Sequence, residues 1–458
     1  MDSKLEKYVV LIAFITSFFS AVVLNGVIIA VPNIGSEFGM NNVVQNWIPT
    51  LLVFTTTIFT LPSGQVSGKV GSKKTLIIGY SLMVIGFIVC CLSISSEMFL
   101  ISRIIQGIGI SLANVAEMSI LVLAISEENR GKAIGIVVAG VYLGTSASPV
   151  LCGSLVYYFG WRSIFYLTIP FIVLCIALII LKIDKEWITH KNDKFDYIGA
   201  VLYMFGIGLF TYGFTELLNP VGQISIFAGL VLLVLFGIYE LRIKTPVFRV
   251  RLYENKTFTL YNLAGLCGFF AVMVLSTIFN YYFQYVQGWN PQITGLVLLI
   301  SPIVMSITAP LAGRLSDRVH PQKIASVGMA VTFVALVILS FLNMNTPIYI
   351  IIIAMALQAL GMGLFSSPNM NAIMSSVPQE YAPHASASQL TVRAIGQTLS
   401  LGLLTLVFGL IMGNLALSAQ YAGMIAKSSG IICGICSISC VIAIVTSLMG
   451  MRYEYNNG

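Results

Sequence analysis

Apolar positions run along this chain in long unbroken stretches, separated by short polar loops. A helix needs roughly 20 apolar residues to cross the hydrocarbon core of a bilayer. By that measure the chain divides into about fourteen segments: 8–32, 46–64, 76–95, 98–125, 133–157, 164–183, 197–218, 222–241, 259–285, 293–313, 324–342, 346–375, 387–412 and 424–450. Twelve is the alternative count if the longest segments hide an interfacial turn. Barrel strands run about ten residues with alternating polarity, and these runs are continuous and longer. The first run is too long for the core of a cleaved signal peptide and has no clear small-x-small cleavage site, so it reads as a retained helix.

Composition agrees. Of 458 residues, 57% are hydrophobic and 9% charged, with mean hydropathy +0.93. Soluble chains carry roughly 25% charged residues, so the expected class is an all-α polytopic membrane protein. The net charge of +7 sits in short loops, which argues against a nucleic-acid surface. With the N-terminus inside and sides alternating, the inner loops collect Lys4 and Lys7; Lys69, Lys73 and Lys74; Arg130 and Lys132; and Lys182, Lys185, Lys191 and Lys194. Arg242 to Lys256, then Arg314, Arg318, Lys323 and Arg452, fall on the same side, whereas Arg162 and Lys427 fall outside. This bias predicts a cell (cytoplasmic) membrane protein with both termini cytoplasmic.

Two loops share a layout. "PSGQVSGKVGSKKTL" (Pro62–Leu76) follows the second segment, and "PLAGRLSDRVHPQKI" (Pro310–Ile324) follows the tenth. Gly64 and Gly68, like Gly313 and Ser316, permit close helix approach, and Lys69, Lys73 and Lys74 suit anionic headgroups. A second echo pairs "RIIQGIGISL" (Arg103–Leu112) with "LQALGMGLFS" (Leu357–Ser366), matching Gly107 and Gly109 to Gly361 and Gly363. Internal repeats mark secondary transporters. Segments one to six therefore repeat as nine to fourteen, around an inserted pair. The expected division is an N-terminal six-helix bundle (1–190), an inserted helix pair with its linkers (191–257) and a C-terminal six-helix bundle (258–458), the two bundles related by a pseudo-two-fold.

These residues also carry a family resemblance. "GQVSGKVGSKK" resembles the G-x-x-x-D-R-x-G-R-R/K loop of the major facilitator superfamily, and "RIIQGIG" its R-x-x-Q-G-x-G signature. "GVYLGTSASPVLCGSL" resembles the fifth-segment motif of its exporters. "WRSIFYLTIP", "FDYIG" and "YELRIKTP" are similar to the fourteen-helix drug:proton antiporter group. The resemblance implies a central cavity between two bundles and alternating access. It also implies a gating set: Gly64, Gly68, Lys69, Gly71, Gly313, Asp317 and Arg318 in the loops, with Gly144, Pro149 and Gly153 in segment five. Three departures stand out. Gly68 replaces the loop's usual aspartate in the first copy, whereas the second keeps Asp317; Ser148 and Cys152 replace glycines, and Asn25 stands where the antiporter group often has a segment-one acid.

Charges at mid-bilayer cost several kcal/mol and are functional candidates by default. Arg103 and Glu117 both fall in segment four. Fourteen residues at about 100° each place them about 40° apart around the helix and on the order of 21 Å apart along it, so they share a face with Gly107 and Asn114. A carboxyl taken out of water resists ionisation, which suits Glu117 to carry a proton; the competing reading is a neutral glutamate that ties helices together. The resemblance suggests that Arg103 sits by the cavity and links proton and substrate states; the competing reading is packing against backbone carbonyls. Candidate substrate contacts are Asn25, Gln106, Asn114, Asn280, Tyr281, Gln284 and Gln358. Arg393 reads as a snorkelling anchor near the start of segment thirteen, and Trp47, Trp161 and Trp289 as an interfacial belt.

Cys433, Cys436 and Cys440 share a helical face and read as packing rather than as a metal site, and His190, His320 and His384 fall in loops. Nucleotide-binding, metalloprotease and nucleophile-elbow motifs are missing. No enzyme activity, metal or cofactor is expected, and the chain reads as functional as a monomer. The leading expectation is a secondary exporter of an amphipathic or cationic small molecule in exchange for protons. One alternative is a carrier for one endogenous metabolite, possibly not proton-coupled; a second is a non-transporting receptor or scaffold.

Overall fold

The computed structural model describes residues 3–40, 42–189, 195–413 and 418–457. His190, Lys191 and Lys194 lie outside the described residues. The described residues form fourteen long helices and no strand. The first six are α1 (Ser3–Glu37), α2 (Asn42–Val70), α3 (Ser72–Cys91), α4 (Ser96–Ala124), α5 (Glu127–Phe159) and α6 (Ser163–Lys182). A pair follows, α7 (Tyr197–Thr215) and α8 (Pro220–Glu240). The last six are α9 (Lys256–Val286), α10 (Ile293–Ser316), α11 (Pro321–Ser340), α12 (Ile348–Ser375), α13 (Ala382–Met412) and α14 (Ala422–Asn457). Thirteen of the fourteen are long and apolar enough to cross a membrane. The other, α2, carries Thr55, Thr56, Thr57, Thr60 and Ser63 through its middle.

Local chemistry sets the boundaries. Ser95, Asp196 and Asn255 cap α4, α7 and α9 by accepting N–H bonds from their first turns, which satisfies donors that have no partner within the helix. The helix α5 stops at Gly160, whose φ of 77° suits glycine. In α9 the ladder breaks after Met273 and ends in a π-helical turn, Tyr282–Val286. Ser400 repairs the break: its hydroxyl accepts from Val274 N at 3.0 Å and donates to Phe270 O at 2.7 Å.

Packing repeats between the two halves. In the first, α1 packs on α5 and α6, α2 on α4, and α3 on α4 and α6; in the second, α9 packs on α13 and α14, α10 on α12, and α11 on α12 and α14. Each pairing recurs eight helices later. The two main contacts between halves, α5 with α10 and α2 with α13, exchange under the same shift, as a pseudo-two-fold requires. Close crossings rely on paired glycines. A Cβ on Gly109 would sit 2.7 Å from Gly79 O, and one on Gly361 would sit 2.5 Å from Gly328 O. Spatially, then, Gly109 corresponds to Gly361, a register two residues from the one suggested by matching the glycine pairs in sequence.

The pair α7–α8 packs on itself and reaches the rest mainly through α7, against α2 and α13. Trp161 is no belt residue. It is buried among Phe38, Phe99 and Phe165, and its Nε1 donates to Glu37 at 2.7 Å. Arg162 completes that knot with Glu37 at 2.7 Å and with the carbonyls of Cys91 and Ser93.

Candidate functional site

The halves meet at the end that carries the basic loops. Gly131 and Gly135 of α5 lie against Gly313 and Ala309 of α10. Gly64 of α2 faces α13, where a Cβ on it would come 2.9 Å from the Ala387 methyl and 3.2 Å from Pro383 O. Asp317 Oδ1 accepts from Gly131 N at 2.7 Å and Oδ2 from Lys132 N at 2.8 Å. Burial pushes the Asp317 carboxyl up from its ordinary value; these two N–H bonds and the nearby charges of Lys132 and Arg130 oppose the rise. Arg130 donates to Ser375, and Ser386 to Val115 O. Among the described residues no comparable set of hydrogen bonds joins the halves at the other end.

The first loop is fastened differently. Gly68 offers its carbonyl to Thr189 N at 3.0 Å. Gly71, with φ 109°, abuts the Glu186 carboxylate, which accepts from the backbone N–H groups of Lys73 and Lys74 at 2.9 and 3.2 Å. Gln65 reaches the carbonyls of Thr245 and Pro246. The segments flanking α7–α8 thus hold this loop. Lys69 is partly exposed and Arg318 exposed. Gly144 packs on α1 against Phe18 and Ala21, Ser148 Oγ donates to Val22 O at 3.0 Å, and Cys152 abuts Gly26. Gly153 has nothing within 4 Å of an added Cβ, and Pro149 is exposed.

Away from the closed end, a cavity of about 370 Å³ lies between the halves. Helices α1, α2, α4 and α5 supply most of its wall and α13 supplies Leu390, Arg393, Ala394 and Gln397. Serine and threonine hydroxyls dominate its polar surface. Asn25 and Asn114 both line it. Gln106, Asn280, Tyr281, Gln284 and Gln358 are not among its lining residues. Gln106 and Gln358 are buried within their halves; Asn280 and Gln284 bond each other at 2.7 Å, and Tyr281 packs edge-on to Phe408.

Glu117 sits just behind this wall, between α1, α3 and α4. Thr16 Oγ1 and Tyr80 OH each lie 2.9 Å from its Oε2, and Ser17 Oγ donates to Oε1 at 3.2 Å. Ser17 is itself a lining residue, so one hydrogen bond separates the carboxyl from the cavity. Arg103 is fully buried and does not line the cavity: Nε donates to Ile48 O at 3.2 Å and Nη1 to Gln106 Oε1 at 2.6 Å, while Gln106 Nε2 donates to Gly86 O. It ties α2, α3 and α4 together. The shared face of Arg103 and Glu117 therefore serves two environments.

Arg393 is not an interfacial anchor. It lies at the start of the fourth turn of α13 and lines the cavity, its guanidinium 5.3 Å from the centre of the Phe269 ring. The hydroxyl wall had a signal in the sequence: "TTTIFT" places Thr56 and Thr60 one helical turn apart in an otherwise apolar run. Gln397 follows Arg393 at the same spacing.

Residues 13–401 match the family model described as Major Facilitator Superfamily. The chain is 28% identical over 392 residues to the riboflavin transporter RibZ of Clostridioides difficile (strain 630), covering 85% of each. It is 27% identical over 396 residues to the multidrug resistance protein Stp of Mycobacterium tuberculosis (strain CDC 1551 / Oshkosh), covering 84% of this chain and 72% of Stp. In fold it resembles the proton:xylose symporter XylE, with TM-score 0.68 at 15% identity over 97% of this chain and 95% of that one.

Proposed function

Because this chain belongs to the major facilitator superfamily, we propose that it is a secondary active exporter, moving an amphipathic small molecule outward in exchange for protons by alternating access. The observation that carries this reading is the cavity between the halves, shut at the basic end, with a buried carboxyl one hydrogen bond behind its wall. Charge bias assigns the shut end to the cytoplasm, so the conformation is outward-facing. The resistance named for Stp favours export.

In this scheme Glu117 carries the proton. Ser17 joins it to the cavity, and Thr16 and Tyr80 orient it. Arg103 acts at a distance by fixing the helix that bears Glu117. Gly64, Gly131, Gly135 and Gly313 let the halves close at the cytoplasmic end, and Asp317 fastens that closure. Substrate meets Asn25, Asn114 and the α2 hydroxyls. Inward proton movement is driven by about 2.3 kcal/mol per charge per 100 mV of membrane potential, enough to drive export against a modest gradient.

A second reading is a carrier for one endogenous metabolite without proton coupling. Asn25 in place of an acid favours it, as does the likeness to a chain named for riboflavin transport. Flux from proteoliposomes, measured with and without an imposed pH gradient, tests both. Export that responds to the gradient supports exchange; export indifferent to it supports the second reading; no flux of any compound across a broad panel removes both.

A further inference from the structure

Among the described residues, the cavity wall is neutral except at one position. Its hydroxyls, amides and aliphatic side chains surround a single ionised group, the Arg393 guanidinium. Among the described residues Arg393 makes no hydrogen bond and no ion pair, only the contact with the Phe269 ring. The carboxyl of Glu117 stands behind Ser17 rather than on the wall. An unpaired, partly buried guanidinium on a cavity wall attracts anions, because little else nearby offsets its charge.

Cations are poorly served by the same wall. Their usual recognition uses ring faces or a carboxylate, and neither is among the lining residues. A cationic substrate would sit beside an uncompensated guanidinium.

We propose that this cavity binds an organic anion, whose carboxylate or other planar oxyanion docks bidentate on Arg393. Gln397, one turn further along α13, and Asn114 across the cavity take the adjoining polar groups. The inference rests on the carrier reading for its physiological meaning, and it narrows the substrate to an acid. It also has an energetic consequence. Outward movement of an anion and inward movement of a proton shift charge in the same direction, so the membrane potential drives both and transport is electrogenic.

The test uses the purified full-length protein and a matched probe set on one skeleton: naphthaleneacetate, its primary amide, and naphthylethylammonium, together with wider acidic, neutral and basic panels. Binding is read by thermal shift and by titration. The expected result is stabilisation by carboxylates, with affinity falling about 10- to 100-fold in Arg393→Gln and by less in Arg393→Lys, which keeps the charge but loses the fork. Size-exclusion profiles establish that both variants fold. Stabilisation only by amines or neutral compounds overturns the proposal. So does undiminished carboxylate binding in Arg393→Gln, or no carboxylate binding at millimolar concentration. A second arm measures flux and current in proteoliposomes. Anion binding without flux leaves the site standing and removes the carrier reading; amine flux unchanged in Arg393→Gln does the reverse.

Discussion

Asp317 is fastened to Gly131 across the boundary between the two halves, its Oδ1 accepting from the glycine N–H at 2.7 Å. Hydrogen bonds to a charged acceptor are roughly twice as strong as neutral ones, and this one joins α10 to α5 where the halves are shut. Asp317→Ala is expected to weaken the closed end by about 1–2 kcal/mol, a population shift of roughly 5- to 30-fold. Spin labels on the exposed Glu128 and Arg314 should show a longer-distance population in the variant. An unchanged distance distribution would show that glycine packing alone holds this end.

The pseudo-symmetric clamp is missing for two reasons. Gly68 lacks the carboxylate, and Pro383, whose carbonyl faces Gly64 as that of Gly131 faces Gly313, has no N–H to donate. Restoring the acid alone should therefore accomplish little. Gly68→Asp is expected to leave the closed population within about twofold of the parent, since no equivalent donor awaits it. Labels on α2 and α13 at the basic end would read this. A strong gain in closure would mean that His384 N or another donor takes the new carboxylate.

Glycines that look alike in sequence differ in consequence. A side chain at Gly313 would collide with the Gly131 backbone, so Gly313→Val should prevent full closure and abolish transport while the protein still inserts. Gly153 faces open space. Gly153→Ala should be neutral in transport and, by helix propensity, slightly stabilising, up to about 1 kcal/mol. Thermal denaturation and flux on the two variants separate them.

How much of this was legible beforehand follows from what each feature depends on. Span lengths and loop charges are local properties, so fourteen helices, the repeat and the basic end could all be read from residue order. Arg393 could not, because its meaning depends on which side of α13 meets the cavity and on how far that helix extends beyond the loop; residue order alone set it near a headgroup. Arg103 misleads in the opposite sense. A buried arginine in a family signature suggests a wet site, yet Ile48 O and Gln106 take its Nε and Nη1 inside one half, and neither residue lines the cavity. Asn280, Tyr281 and Gln284 form a dense polar–aromatic cluster whose partners lie within α9 and on Phe408 of α13, away from the cavity lining.

Glu117 offers the sharpest separation of roles. Its three hydroxyl partners, Thr16, Ser17 and Tyr80, hold it equally well whether it ties helices or carries a proton, so stability alone cannot distinguish the two. Glu117→Gln keeps the shape and one carbonyl oxygen as acceptor; it should fold with a melting temperature within a few degrees of the parent. Glu117→Ala leaves buried hydroxyls without their acceptor and should cost about 1–3 kcal/mol. If the carboxyl carries the proton, Glu117→Gln loses the acceleration of export by an imposed pH gradient while substrate binding persists, because the amide cannot take up and release a proton in the working range. If it only ties helices, Glu117→Gln retains the full gradient response and only Glu117→Ala falls, through loss of folded protein. Flux with and without the gradient, normalised to folded protein, decides between them.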